Sequence, residues 1–128
     1  SEGAACMDGN TTVKYLQTYL EQKDYSFQLL RELPEGADRE GPLAKARQHC
    51  FLKLVEEVGE VSRAIFDGKL RQPGASIKGT LDEELWDVMY YSLCLANLYG
   101  IDMEEAIRDK EVLNNQRFHD EHPFEVGR

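Results

Sequence analysis

Two acidic stretches of the same pattern, 27 residues apart, constrain this chain more than any other feature. Residues 54–61 read LVEEVGEV and residues 81–88 read LDEELWDV. Leucine, two adjacent glutamates and a final valine recur in the same order, and the last acid of the first stretch, Glu60, returns as Asp87. Both stretches mix acids with apolar residues at helical spacing. We therefore expect two amphipathic helices that carry the same acidic edge.

The remaining periodicity predicts an all-α fold, a four-helix bundle-like arrangement with almost no strand. The predicted helices span about 11–33, 42–66, 80–99 and 102–118. Thr11 or Thr12 is expected to cap the first helix, and Thr80 with Glu83 forms a capping box for the third. Residues 67–80 hold a proline and three glycines, so they predict a long connection between the second and third helices.

The chain of 128 residues suits one domain, predicted at 11–118 between a flexible N-terminal tail (1–10) and a C-terminal tail (119–128). Its net charge of −9 disfavours a nucleic-acid backbone as partner, and no apolar run is long enough to suggest a membrane partner. Three cysteines without a C-x-x-C spacing favour reduced thiols and a cytoplasmic location.

Helical phase predicts where the acids lie relative to the core. The predicted apolar stripes are Phe51, Leu54, Val55, Val58, Val61, Ser62 and Ile65 on the second helix, and Leu81, Leu85, Val88 and Leu95 on the third. Glu57 and Glu84 border these stripes, and Glu60 and Asp87 lie about 60° further out. If the two helices pack antiparallel, these four carboxylates surround one small volume.

Four carboxylates in one volume call for a cation. Two like charges about 4 Å apart repel by roughly 4 kcal/mol at an effective dielectric constant of 20. Oxygen ligands alone suit Mg²⁺, Mn²⁺ or Ca²⁺ better than zinc. The alternative is two solvated acidic faces that never meet. A di-iron bundle is excluded because no histidine follows a glutamate in Glu-x-x-His spacing.

EEVGE followed by ELWD resembles the E-E-x-x-E … E-x-x-D motif of the MazG-like, all-α nucleoside triphosphate pyrophosphohydrolases. The dCTP pyrophosphatases and dimeric dUTPases belong to the same superfamily. The resemblance covers about residues 43–118 and implies Mg²⁺ as cofactor, with Mn²⁺ as a possible substitute. It assigns the metal ligands to the same four residues that helical phase selects, Glu57, Glu60, Glu84 and Asp87.

The resemblance extends to substrate binding. Lys110, Asn114 and Arg117 share one face of the fourth helix and match the family's K-x-x-x-N-x-x-R pattern, which implies contacts with the nucleotide. Tyr91, one turn after Asp87, matches a tyrosine near the substrate, although a core aromatic is an equal alternative. Glu56 is a candidate to orient or deprotonate the attacking water, or else a plain surface acid.

The resulting prediction is a Mg²⁺-dependent enzyme that converts a nucleoside triphosphate, or a deoxynucleoside triphosphate, to the monophosphate and pyrophosphate. Two alternatives stay open: an enzyme like phosphoribosyl-ATP pyrophosphohydrolase, and a non-catalytic helical interaction module. The resemblance also implies a homodimer or a dimer of dimers. Trp86 points away from the predicted core stripe, so we expect it, with the first helix, to supply the apolar surface between subunits.

Overall fold

The computed structural model describes residues 10–118, so the predicted tails lie outside the described residues, apart from Asn10. The described chain is all-helical and contains no strand. None of its helices is long and apolar enough to cross a membrane. Its five helices are α1 (Val13–Lys23), α2 (Tyr25–Arg31), α3 (Glu40–Phe66), α4 (Leu81–Leu98) and α5 (Met103–Phe118).

The prediction of one continuous helix over 11–33 is wrong, because Asp24 divides it into α1 and α2. Asp24 has an extended backbone (φ −70°, ψ 135°), and its Oδ2 accepts a hydrogen bond from the backbone N–H of Ser26. Its Oδ1 accepts another from the hydroxyl of Tyr90 on α4, at 2.9 Å. Aspartate is a strong N-cap residue, so a local cap and a long-range bond together favour the break over helix continuity.

The predicted caps at Thr12 and Thr80 are confirmed. The Thr12 hydroxyl accepts from the backbone N–H of Tyr15, and the Thr80 hydroxyl accepts from that of Glu83. The Glu83 carboxylate in turn accepts from the backbone N–H of Gly79, at 3.2 Å, so this acid is used as a cap. Asp102 accepts from the second residue of α5 at 3.0 Å.

Helix α3 and helix α4 share the most extensive contact in the molecule, and they run antiparallel. Arg47 donates to the carbonyl of Leu98, and the Cys50 thiol donates to the carbonyl of Tyr91. As the residue number rises along α3, the number of the contacted residue on α4 falls, which shows that the two helices are antiparallel. Helix α1 packs on another side of α4, where buried Gln17 donates to the side chain of Asn97 at 2.9 Å.

The predicted apolar stripe of α3 is wrong in phase. Phe51, Val55 and Val58 are each 52% exposed, and Ile65 is 60% exposed. The buried residues of α3 are instead Cys50 and Ala64, which lie seven positions before and after Glu57 and therefore on its side of the helix. We call this side, with the side of α4 that meets it, the contact face.

The exposed apolar side chains of α3 and α4 form a second surface, which we call the outer face. Its members are Phe51, Val55, Val58 and Ile65 of α3 with Leu85 and Met89 of α4. Leu85 is 49% exposed, so its predicted place in the core is wrong as well. Within a single chain, nothing among the described residues buries these side chains.

The expectation for Trp86 also needs correction. Its ring lies 6.1 Å from the ring of Tyr90 in an edge-to-face arrangement, and the side chain packs against the chain's own hydrophobic core. Around α4, Trp86 lies about 100° from Leu85 and about 60° from Met89, at the border between the core and the outer face. Trp86 thus lies at the edge of the chain's own core, and its contact with another subunit, like that of the first helix, stays a prediction.

Candidate metal centre

The antiparallel packing of α3 and α4 brings three of the four predicted carboxylates together. Glu57 comes from the middle of α3, whereas Glu84 and Asp87 come from the first two turns of α4. One oxygen of each side chain lies within 4.8 Å of one oxygen of each of the others. We call these three residues the carboxylate cluster. The two acidic stretches thus meet in space, and the alternative of two separate solvated faces is wrong.

Burial is the main influence on the charges of the cluster. Glu84 is only 9% exposed, and burial raises its pKa from 4.5 to about 7, with a hydrogen bond to Glu57 and the charges of its neighbours adding to the effect. Burial also raises the pKa of Glu57, although the hydrogen bond with Glu84 opposes that rise. Both carboxyl groups are therefore easier to protonate than a free glutamate.

Asp87 completes the cluster from the next turn of α4. Burial raises its pKa, and the negative charge of Glu83 raises it further, while the ammonium of Lys53 lowers it. All three carboxyl groups are therefore easier to protonate than free ones. Glu84 lies in the first turn of α4, where the helix dipole favours negative charge and offsets part of the repulsion.

These residues fit a hard divalent cation. The donor set is oxygen only, and the repulsion among three carboxylates whose oxygens lie within 4.8 Å of one another favours a bound positive charge. Mg²⁺ and Mn²⁺ prefer oxygen ligands, whereas zinc sites usually include histidine or cysteine. The cluster can therefore hold a metal ion of this class through one oxygen from each residue.

Glu60 and Glu56 lie outside the cluster. Glu60 is half-buried one turn after Glu57 and is not among the three residues whose oxygens converge, so its role as fourth ligand stays a prediction. Glu56 is exposed, and its carboxylate forms a salt bridge of 3.1 Å with Lys53. This arrangement leaves the Glu56 carboxylate in contact with water beside the cluster.

The position of Tyr91 is compatible with both alternatives, a core aromatic and a residue near the substrate. Its half-buried ring contacts Tyr90 edge-to-face, with 5.0 Å between ring centroids, so it belongs to the edge of the core. It also follows Asp87 by one helical turn, and the ammonium of Lys53 lies 5.9 Å from its ring centroid. The ring therefore borders the carboxylate cluster, and its contact with a substrate stays a prediction.

The three residues predicted to bind substrate from the last helix lie on α5, whose main packing partner among the described helices is α1. Lys110 and Arg117 are exposed. Asn114 is half-buried and donates to the Glu111 carboxylate at 3.3 Å. Their spacing on one face of α5 is as predicted, and their role toward a nucleotide stays a prediction.

Lys53 is a residue of this site that the sequence reasoning missed. It occupies the positions three before Glu56 and four before Glu57, and residues at these spacings are neighbours on a helix surface. Its charge lowers the pKa of both Glu57 and Asp87. This spacing can be read in the sequence, so a search for basic residues beside the acidic motif would find Lys53.

Known proteins match the region of the chain that carries the cluster. The family model described as the MazG nucleotide pyrophosphohydrolase domain matches residues 46–115, which include the whole cluster. A crystal structure of C-tagged iMazG from Vibrio DAT 722 is 38% identical, with 82% of this chain and 99% of that chain covered and a TM-score of 0.61. A crystal structure of the N-tagged form is 36% identical, with 86% of this chain and 100% of that chain covered and a TM-score of 0.63. No curated protein matches the chain.

Proposed function

The chain belongs to the MazG nucleotide pyrophosphohydrolase family, and from this premise we propose that it hydrolyses a nucleoside triphosphate to the monophosphate and pyrophosphate with the help of Mg²⁺. The observation that carries the proposal is the convergence of Glu57, Glu84 and Asp87 within 4.8 Å, inside the matched region. A deoxynucleoside triphosphate is the substrate that we test first.

The residues of the cluster would hold the ion, with Glu60 as the predicted fourth ligand. When bound, Mg²⁺ offsets the charge of the phosphates and polarises the phosphorus under attack. Glu84 must lose its proton to serve as a ligand. Because its pKa is about 7, deprotonation costs little free energy at neutral pH. Glu84, the buried member of the cluster, has limited access to bulk water, which strengthens its electrostatic interactions.

Two further groups are proposed to act on the substrate. Glu56, exposed beside the cluster, is the candidate to orient or deprotonate the attacking water. Lys110, Asn114 and Arg117 on α5 would offset phosphate charge and donate hydrogen bonds. Tyr91 would border the nucleotide near Asp87.

Pyrophosphate release from each common nucleoside and deoxynucleoside triphosphate, with and without Mg²⁺, tests the reaction. Running the active case in ¹⁸O-labelled water then identifies the phosphorus that is attacked. We expect the label in the monophosphate, because attack at the α-phosphorus makes pyrophosphate the leaving group. Label found only in orthophosphate would show a phosphatase instead and would contradict the proposal.

The outer face supports a homodimer as the assembled form. Monomeric proteins rarely leave a contiguous apolar surface of this kind in water. Phe51, Val55 and Val58 are each half-exposed in the single chain, and Leu85 and Met89 extend the surface onto α4. Light scattering at micromolar concentration should give a multiple of the 14.7 kDa chain mass. A monomer mass under these conditions would exclude the dimer.

A further inference from the structure

Gln17 is a buried polar side chain where α1 meets α4 and the start of α5. It lies on α1, is only 8% exposed, and its amide both donates and accepts hydrogen bonds. Its Nε2 donates to Oδ1 of Asn97 on α4 and to the carbonyl of Ile101, both at 2.9 Å. Its Oε1 accepts from the backbone N–H of Met103, the first residue of α5, at 2.9 Å. One side chain of α1 therefore fixes the start of α5.

A second bond joins the same two helices in the opposite direction. The backbone N–H of Lys14, in the first turn of α1, donates to Oε2 of Glu104 on α5 at 2.8 Å. The first N–H groups of a helix have no partner within that helix, and here each helix supplies an acceptor for the other. We call the bond from Met103 to Gln17 and the bond from Lys14 to Glu104 the reciprocal caps. They hold the starts of α1 and α5 side by side.

Helix α5 buries none of its side chains between Met103 and Arg117. Its main packing partner among the described helices is α1. A helix that buries no side chain gains little hydrophobic stabilisation from its neighbours, because that stabilisation grows with the apolar area removed from water. The bonds at the start of α5 therefore contribute strongly to the direction in which the helix runs.

The residues proposed to bind the nucleotide lie far along α5 from the reciprocal caps. At about 1.5 Å per residue, Lys110 lies roughly 10 Å and Asn114 roughly 16 Å from Met103 along the helix axis. A tilt of about 10° at Met103 moves Lys110 by about 2 Å and Asn114 by about 3 Å. Hydrogen-bond lengths vary by only about 0.5 Å, so shifts of this size remove contacts with a phosphate. A small change at the start of α5 is thus amplified further along the helix.

We propose that Gln17 is a positioning residue, which together with Glu104 sets the direction of α5 and so holds Lys110 and Asn114 where they meet the nucleotide. The inference rests on the proposed function and deepens it, because it assigns a part in substrate binding to a buried residue that touches no substrate. The proposed metal ligands lie on α3 and α4. The loss of Gln17 should therefore affect the bare metal and the metal–nucleotide complex unequally.

Titration calorimetry of Gln17→Met beside the parent protein tests this role. Methionine has a similar shape but no amide, so the bonds of the Gln17 side chain to Asn97, Ile101 and Met103 are lost. The probes are Mn²⁺ alone, and Mg²⁺ with the α,β-methylene analogue of the deoxynucleoside triphosphate that the parent hydrolyses fastest. We expect the Kd of the analogue to rise about tenfold, because the α5 residues are misplaced, and the Kd of Mn²⁺ to keep its parent value.

Thr12→Ala is the matched control. It removes the hydroxyl that accepts from the backbone N–H of Tyr15, so it weakens the start of α1 and leaves both reciprocal caps in place. Both Kd values should match those of the parent. If Thr12→Ala raises the Kd of the analogue as Gln17→Met does, then the lower stability of α1 explains the effect and the inference is wrong.

A background without the Asn114 side chain separates positioning from a general effect on the fold. Asn114 lies further from the reciprocal caps than Lys110, so a tilt of α5 displaces it more. In Asn114→Ala, the substitution Gln17→Met should therefore raise the Kd of the analogue by a smaller factor than in the parent. An equal factor in the two backgrounds would show that Gln17 does not act through α5 and would overturn the inference.

Retained Mn²⁺ binding shows that Gln17→Met is folded. If this variant does not fold, Glu104→Ala carries the test, because it removes only the cap on the N–H of Lys14. That variant should raise the Kd of the analogue by a smaller factor and leave the Kd of Mn²⁺ unchanged. An unchanged Kd for the analogue in whichever variant is folded, or an equal weakening of both probes, contradicts the role of the reciprocal caps.

The two levels of proposal fail in different ways. A parent protein that releases no pyrophosphate from any nucleoside triphosphate contradicts the proposed function. A parent protein that is active, with a folded Gln17→Met variant that binds the analogue as the parent does, contradicts the role of Gln17 alone.

Discussion

The contact face and the outer face of the α3–α4 pair are built from the same two helices. Acids are usually exposed and apolar side chains usually buried, but here the contact face buries acids and the outer face exposes apolar side chains. The contact face encloses carboxyl groups, with Glu84 only 9% exposed, whereas the outer face leaves Val55 and Val58 half-exposed. Acids are rarely buried unless paired, and apolar side chains rarely form an exposed surface without purpose. We propose different explanations for the two departures, a cation for the contact face and a second subunit for the outer face.

The comparison teaches that each helix carries two apolar surfaces rather than one. On α3, Cys50 and Ala64 are buried with Glu57, while Phe51 and Val58 lie on the other surface. Burial raises the pKa of all three acids of the contact face, so protonation can relieve part of their repulsion, and a divalent ion would relieve it as well. Changes on the two faces should therefore affect different properties.

The largest effect is expected from neutralising the contact face. The double variant Glu57→Gln, Glu84→Gln removes two of the three clustered carboxylates and should lower kcat/KM by about 10³-fold or more, because a metal supplies several kcal/mol of transition-state stabilisation. Steady-state pyrophosphate release measures this loss. Glu35→Gln, an exposed acid in the loop before α3, is the control and should retain parent activity.

Lys110 tests whether the site extends from the contact face to α5. Lys110→Ala should lower kcat/KM by about 10²-fold, since it would remove a positive charge from the phosphates in the transition state. Lys69→Ala, in the connection between α3 and α4, should have a far smaller effect. Full activity in the Lys110 variant would limit the site to α3 and α4.

Metal binding at the contact face should also change the free energy of unfolding. Saturating Mg²⁺ should raise the free energy of unfolding by about 2–3 kcal/mol at 100 times its Kd, because the ion binds the folded state only. Thermal melting of the parent protein should show the increase. The double variant Glu57→Gln, Glu84→Gln should show none, and its metal-free form should melt at or above the parent's temperature. Equal metal responses in parent and variant would place the ion elsewhere.

The contact face should also make metal-free stability depend on pH. The pKa of Glu84 rises from 4.5 to about 7 on folding, so between these values the folded state holds a proton that the unfolded chain has lost. The contribution of Glu84 to stability is therefore present below pH 4.5 and is lost as the pH rises through about 7. Denaturant midpoints between pH 5 and pH 7.5 should fall in the parent and fall less in Glu84→Gln.

The smallest effect on folding is expected at the outer face. Val58→Glu adds a charge to a half-exposed position, so the stability of the single chain should change by only about 0.5 kcal/mol. The same change should convert the dimer to a monomer in light scattering. Ala64→Glu, its counterpart on the contact face, introduces an unpaired charge at a buried position and should prevent folding. A Val58→Glu protein that stays dimeric would move the subunit interface away from the outer face.

The sequence by itself determined most of the local structure and the identity of the three acids that converge. Caps at Thr12 and Thr80 were readable because a side-chain oxygen satisfies the free N–H groups of a helix start within a few residues. The doubled acidic motif was sufficient to identify Glu57, Glu84 and Asp87, since two helices with the same acidic edge can meet when packed antiparallel. Helix caps are short-range signals and the acidic motif is a simple repeat, and both can be read from the linear sequence.

Only the tertiary structure decided which apolar surface is buried. Val55 and Cys50 are both apolar, and periodicity cannot distinguish a surface that packs within the chain from one that is left for a partner. Asp24 likewise breaks the first helix with the help of Tyr90, a residue 66 positions away. Trp86 joins the core for the same reason. Burial and helix breaks of this kind depend on contacts between distant segments, and hydrophobic free energy depends on the area that those contacts remove from water.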